Sequence, residues 1–135
     1  MPDDNKAVLR RFVDQVVNRR NLAAAADLVA DDVVDHTPIP SQAPGLAGLK
    51  QSLAALRVAF PNARSSEDEV IAEGDVVVYR GTLRGLHKGE FLKLEPTGRE
   101  FTAAEVRVAR IANGRIVEHW WLPDVPGLLR QLGAV

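Results

Sequence analysis

The sequence predicts an α+β domain in which three N-terminal helices cover one face of a curved, mostly antiparallel sheet. Helical periodicity extends to Phe60, and from Ala63 the apolar residues alternate with polar ones between turn residues. The dipeptide Asn113-Gly114 separates two β-branched runs and is the strongest short-range hairpin signal in the chain. Helices followed by an antiparallel meander form a layered domain, whose concave sheet can make a cone closed by the helices around a central ligand pocket.

Size and composition favour a single domain over residues 1–135 that needs no disulfide. The 17 basic and 18 acidic side chains give a net charge of −1, which argues against nucleic acid or an anionic membrane as a partner. The sequence has no cysteine, no targeting pattern at its start and no apolar run of the roughly 20 residues that cross a membrane. We therefore expect a cytoplasmic protein without a membrane part.

Three helical patterns precede most of the strands. Apolar residues between positions 4 and 19 recur at helical offsets and predict an amphipathic first helix. Asn21 is placed to cap a second, alanine-rich helix that ends near Ala30. The third helix stops before Pro61 and carries four leucines on one face, Leu46, Leu49, Leu53 and Leu56.

The strands are predicted from β-branched runs and from the turn-forming residues between them. A short strand is expected at residues 33–36, because the prolines that follow favour extended backbone. A hairpin turns at Gly74-Asp75, and a long strand covers residues 101–111. The last strand begins near Arg115, and Pro123, which cannot donate to a ladder, ends its regular pairing at or near Asp124. Residues 128–132 then form a short helical turn or a closing tail.

Asp124 is the main catalytic candidate. It follows two tryptophans at the end of the last strand, where burial would raise the pKa of a carboxyl group and make it a base. The alternative is structural, since an aspartate before Val-Pro-Gly can cap the backbone amides of the next turn.

Strand parity leaves the orientation of His119 open. It shares a face with Val117 and Trp121, whereas Trp120 shares the other face with Ile116 and Glu118. Either set could line a pocket, and His119 could instead pack on the outer face in a dimer interface.

Glu105 and Arg107 are two residues apart on one predicted strand, so their side chains share a face and can pair. If that face lines a pocket, the guanidinium can hold an enolate or carbonyl oxygen. If it is the outer face, they are solvated charges of little energetic value.

Two further histidines, His36 and His87, lie where strands meet turns, so each could donate to a ligand at a cavity mouth or simply bond the backbone. The spacing of the three histidines does not match a metal site, and no metal is expected.

Five stretches occur in an order and spacing that resemble a known family. They are residues 85–89 (GLHKG), 96–101 (PTGREF), 110–119 (RIANGRIVEH), 121–124 (WLPD) and 128–133 (LLRQLG). Over nearly its whole length the chain resembles the SnoaL-like polyketide cyclases of the nuclear transport factor 2-like superfamily. The resemblance implies a cone-shaped α+β barrel, cofactor-free aldol ring closure of a polyketide ester, and a homodimer formed through the outer sheet face.

The resemblance also implies roles for individual residues. Asp124 matches the acid/base aspartate of the family cyclases, and Asp35, Glu105 and Arg107 match positions that face the pocket. The sequence departs from the pattern at Arg107, where a histidine is expected, and at Glu105, where an amide is usual.

We therefore expect a cofactor-independent cyclase that acts on a small apolar or aromatic keto-ester. Asp124 would be the acid/base, and Arg107 with His87 or His36 would polarise a carbonyl. The expected substrate-binding residues are Asp35, His36, Glu105, Trp120, Trp121, Phe101 and Leu94. The alternatives are an isomerase, an epoxide hydrolase that uses Asp35 or Glu105 as a second carboxylate, and a non-catalytic binding protein.

Overall fold

The computed structural model describes residues 2–134, with side chains from Asp4 onward. Four α-helices and five strands form an α+β domain, as the sequence predicts. The helices are α1 (Pro2–Arg11), α2 (Ala25–Leu28), α3 (Gly45–Ala59) and α4 (Val125–Gln131). The strands are β1 (Val29–Asp35), β2 (Arg64–Glu73), β3 (Val76–Leu86), β4 (Glu100–Ala112) and β5 (Arg115–Pro123).

The N-terminal helical region is confirmed, with two differences from the sequence prediction. α1 continues directly into a π-helical segment, Phe12–Asn18, so the predicted first helix changes its hydrogen-bond spacing halfway. The side chain of Asn21 caps a 3₁₀ turn that leads into α2. The predicted end near Ala30 is wrong, because Val29 is already extended and begins β1.

The five strands form one mixed sheet in the order β1-β5-β4-β3-β2. Neighbours from β2 to β5 pair antiparallel, and β1 pairs parallel with β5 at the edge. The mostly antiparallel sheet is confirmed, and so is the last hairpin, where Asn113 and Gly114 both have positive φ, at 52° and 75°.

A one-residue irregularity in β5 decides which side chains face the helices. Arg110 of β4 lies opposite Glu118, whereas the next residue, Ile111, lies opposite Ile116, so Val117 is the extra residue of a β-bulge. The bulge breaks the simple parity of the sequence. Ile116, His119 and Trp121 all face inward, and Glu118, Trp120 and Leu122 face outward.

The apolar core has two clusters on the inner face of the sheet. The larger cluster joins α1, the π-helical segment and α3 to the sheet, and includes Leu9, Phe12 and Leu49. The smaller cluster lies around Phe60 and Phe101 and is closed by α4 through its buried Leu128. None of the helices in the described range is long and apolar enough to cross a membrane.

Candidate active site

A narrow cavity lies between α3, the π-helical segment and the inner face of β4 and β5. Its outer chamber has a volume of about 40 Å³ and its inner chamber about 10 Å³. The chambers share Leu53, Leu56, Arg107 and Trp121. Half of the remaining wall residues are apolar, namely Val16, Val17, Leu49, Phe60, Ala63 and Leu83.

Glu105, Arg107 and Trp121 form a hydrogen-bonded platform at the cavity floor. Nη2 of Arg107 donates to Oε1 of Glu105 at 3.2 Å, and Nε1 of Trp121 donates to the same oxygen at 2.7 Å. The Arg107 guanidinium also lies 5.2 Å from the centroid of the Trp121 ring. The alternation of β4 turns both charged residues inward, and the register sets Arg107 opposite Trp121. Of the two orientations considered for this pair, the inward one is therefore correct.

Three further polar side chains hold the other carboxylate oxygen of Glu105 in place. The hydroxyl of Ser65 donates to Oε2 of Glu105 and also contacts the hydroxyl of Tyr79 at 2.7 Å. Asn18 holds Ser65 in place, because its side-chain amide bonds both the N–H and the C=O of that residue, at 2.7 Å and 2.8 Å. The network lets a carboxylate that is 1% exposed remain in an otherwise apolar interior.

Asp35 and His119 form a second polar pair at the inner chamber. They lie opposite each other where β1 pairs with β5, and Nδ1 of His119 is 3.5 Å from Oδ1 of Asp35. Asp35 also accepts from the Gln42 amide at 2.9 Å and from the Thr37 N–H at 3.1 Å. Burial on its own would raise the pKa of Asp35, but His119, Gln42 and Thr37 together hold that pKa well below its usual value.

His119 is buried and has unused hydrogen-bonding capacity. It is 3% exposed, it packs against the ring of Phe12, and neither ring nitrogen has a hydrogen-bond partner among the described residues. Burial lowers the pKa of His119, although the nearby Asp35 opposes the shift. The imidazole is therefore neutral near pH 7, the form that can accept a proton.

The dry environment expected for Asp124 is wrong. Asp124 is exposed, and its Oδ1 accepts from the N–H of Gly127 at 3.0 Å, so it caps α4. Its backbone N–H donates to the carbonyl oxygen of the exposed Ala104 on β4. Pro123 ends β5 on the inner face, and the next residue is free to turn outward as a helix cap.

The expected pocket positions of His36 and Trp120 are also wrong. Their rings stack on the outer sheet face, with centroids 4.2 Å apart. Nε2 of His36 bonds Oε1 of Glu118 at 2.9 Å, and the other oxygen of Glu118 accepts from Arg110 at 2.6 Å. The bulge in β5 turns Trp120 outward although Ile116 faces inward, and His36, which follows β1, stacks on Trp120 there.

His87 is buried and does not itself line either chamber of the cavity. Its Nδ1 accepts the N–H of Thr97 at 3.1 Å, which puts the proton on Nε2, and its ring packs against Phe60. Leu94 and Phe101 belong to the smaller core cluster, and Phe101 also lines an open groove on the surface. None of these three residues lines either chamber, contrary to the expectation that they polarise or cover the substrate there.

Two larger depressions, of about 530 Å³ and 560 Å³, are open surface grooves. The first includes exposed arginines and Phe101, and the second borders Asp31 to Gly45. Neither groove combines apolar walls with the buried charged pairs of the central cavity. No group of described residues has the arrangement of a metal site.

Comparisons with known proteins agree with the fold. A model of the SnoaL-like polyketide cyclase family matches residues 7–132. The aklanonic acid methyl ester cyclase AcmA of Streptomyces galilaeus is 31% identical over 125 residues, covering 85% of this chain and 87% of AcmA. The nogalonic acid methyl ester cyclase of Streptomyces nogalater is 38% identical over 71 residues, 53% of each chain.

Two solved structures superpose over nearly the whole chain. IdmH from Streptomyces antibioticus has a TM-score of 0.84 at 28% identity and covers 96% of this chain and 98% of its own. TsrD from Streptomyces laurentii has a TM-score of 0.88 at 23% identity, with coverage of 98% and 97%. At that lower identity the likeness concerns the fold.

Proposed function

This chain belongs to the SnoaL-like polyketide cyclase family, and we propose that it closes a ring in a small, largely apolar keto-ester by a cofactor-independent aldol reaction. The observation that carries the proposal is that Arg107 and His119, each 3% exposed, line the same inner chamber. A fixed cation and a neutral base in a nearly dry space are the two groups that enolate chemistry needs.

Arg107 would polarise the carbonyl that is attacked. Its Nη2 is held by Glu105, while its buried Nε has no hydrogen-bond partner within the described part of the chain. A substrate oxygen that accepts from this N–H would relieve an unsatisfied donor and gain charge stabilisation as the alkoxide develops.

His119 is the group that we propose as the acid/base. A proton on Nδ1 directed at Asp35 leaves Nε2 free to take a proton from the carbon between two carbonyls. The resulting enolate carbon attacks the polarised carbonyl, a C–C bond forms, and the new alkoxide takes the proton back from the imidazolium. Asp35 stabilises the imidazolium while it lasts. Asp124, which the resemblance favours for this step, would have to leave its cap on α4 to reach the cavity.

The cavity must widen when substrate enters. About 40 Å³ is room for water and far less than a polyketide needs. Leu56 is a half-buried side chain of the wall, so its rotation is the simplest way to open the cavity.

The protein would act as a homodimer formed through the outer sheet face. Val78, Val108 and Trp120 are aligned across β3, β4 and β5 on that face, and Val106 and Leu122 form the next row. Leu122 is 54% exposed in the single chain. An apolar face of this kind is buried most simply by a second copy of itself.

The direct test is turnover of aklanonic and nogalonic acid methyl esters, the compounds named in the two relatives above. Ring closure gives a product of unchanged mass that has lost one keto group. We expect His119→Asn to lower kcat by a factor of about 100 or more, as loss of a general base does. Asp124→Asn keeps the cap and should leave kcat unchanged.

Three outcomes would contradict parts of this proposal. Loss of turnover in Asp124→Asn but not in His119→Asn would return the acid/base role to Asp124. A diol formed from an epoxide, with oxygen taken from labelled water, would indicate a hydrolase. Ligand binding without any turnover would indicate a binding protein.

A further inference from the structure

Two arginines lie at the mouth of the central cavity. Arg57 comes from the last turn of α3, and Arg20 follows the π-helical segment. Both line the outer chamber and both are half-buried, whereas Arg107 at the inner end is 3% exposed. The guanidinium of Arg57 donates to the backbone carbonyl of Arg20, which keeps the two residues side by side.

The charges of these two arginines are not neutralised by the described part of the protein. Nη2 of Arg20 is 3.4 Å from the carbonyl oxygen of Ala63, and no ion pair connects Arg20 or Arg57 to a described carboxylate. Arg107, by contrast, is paired with Glu105. Partial burial, together with the nearby charge of Arg20, lowers the pKa of Arg57.

Between the mouth and the floor the wall is apolar. The outer chamber therefore runs from an unpaired cationic mouth, past Phe60 and Leu83, to Arg107 at its inner end. A ligand that matches this order has an apolar body, an anionic group at one end and a carbonyl oxygen at the other. The planar fork of each guanidinium suits a carboxylate, which can accept two parallel hydrogen bonds.

We propose that Arg20 and Arg57 bind a carboxylate of the substrate at the cavity mouth, so that the natural keto-ester carries a free carboxylate in addition to its ester group. The assignment rests on the proposed use of the central cavity as the ligand site. It adds a substrate property that neither Arg107 nor His119 specifies.

Binding of a matched pair of ligands tests this without any turnover. The probes are 4-acetylbenzoic acid, in which a benzene ring separates a methyl ketone from a carboxylate, and its methyl ester. Calorimetry on the full chain should give an affinity for the acid about tenfold or more above that for the ester, as expected for a charge-assisted contact. The preference should shrink as salt is added, because the site is only partly buried.

Variants separate the mouth from the floor. Arg20→Gln and Arg57→Gln should each lower the affinity for the acid by about fivefold to tenfold and leave the affinity for the ester unchanged. Arg57→Lys should retain part of the preference for the acid. Arg107→Gln should lower the affinity for both ligands alike, because both carry the ketone. Circular dichroism checks that each variant is folded.

Several results would overturn the assignment. These are equal affinity for acid and ester, no acid binding at millimolar concentration, or equal weakening of both ligands by the mouth variants. Because all are binding results, they stand apart from the turnover of methyl esters that tests the proposed reaction.

Discussion

The indole Nε1 of Trp121 donates to Oε1 of Glu105 across 2.7 Å, so the largest side chain of the cavity wall is tied to the polar floor. Trp121→Phe keeps most of the ring and removes the donor. We expect the free energy of unfolding to fall by about 2 kcal/mol, the usual range for a hydrogen bond to a charged group. Urea denaturation measures the change, and Trp120→Phe on the outer face is the matched control. Equal losses in both variants would mean that ring size matters and the bond does not.

Removing the Glu105 carboxylate alone should lower the free energy of unfolding more than removing both Glu105 and Arg107. Glu105→Leu leaves the buried Arg107 cation without its partner, and we expect a loss of about 3–5 kcal/mol in unfolding free energy. Adding Arg107→Met should restore much of that stability, since an apolar pair of similar volume carries no desolvation penalty. A double-mutant cycle in urea measures the coupling. Additive losses would show that the two charges do not depend on each other.

Stability should fall in mild acid because of His119. Its folded pKa is lowered from the usual 6.5, so below that pH the unfolded chain binds a proton that the folded chain does not. The unfolding free energy then decreases with falling pH by up to about 1.4 kcal/mol per unit, until the pH reaches the lowered value. Asp35 adds a second loss below its usual 3.8, because its own pKa is lowered on folding. Urea curves between about pH 7.5 and 4.5 measure the His119 effect, and their extension below about pH 4 measures the Asp35 effect.

The two histidine variants isolate the first of these effects. His119→Asn should flatten the dependence between about pH 6.5 and 5. His36→Asn, on the outer face, should retain it. A wild-type slope in His119→Asn would show that another group titrates.

Asp124 should behave as a helix cap in stability measurements. Asp124→Ala removes the acceptor for the Gly127 N–H and should cost about 1 kcal/mol, whereas Asp124→Asn should stay within about 0.5 kcal/mol of wild type. Thermal and urea unfolding measure both. Equal destabilisation by alanine and asparagine would argue that the charge matters more than the cap.

A single charge on the outer sheet face should prevent dimer formation. Leu122→Glu puts a carboxylate on the apolar row, where a second copy would have to bury it. Light scattering at micromolar concentration should show a dimer for wild type and a monomer for the variant. A wild-type monomer would refute the proposed assembly.

The sequence predicts side-chain orientation correctly where the local hydrophobic pattern is unbroken. The alternation of β4 is regular, so Glu105 and Arg107 point the same way, and the leucines of α3 form a helical stripe. The Asn113-Gly114 turn depends only on its own two residues.

The errors arise where one residue changes the pattern or a distant segment supplies a partner. Because of the bulge at Val117, Ile116 and His119 both face inward, although strict alternation would place them on opposite faces. Asp124 turns outward because the strand ends one residue before it. Nothing near His119 in the sequence indicates that Asp35 is its neighbour, because the two residues meet only through the pairing of β1 with β5. The local sequence likewise gives no sign that Ser65 and Tyr79 support Glu105.

The parallel pairing of β1 with β5 also bears on how the protein folds. The hairpins from β2 to β5 join neighbours in sequence and can form early, but β1 reaches its place only when a loop spanning most of the chain closes. Asp35 and His119 meet through that closure. We therefore expect the proton-transfer pair to assemble among the last steps of folding, so that a partly folded chain with an intact meander would still lack a working site.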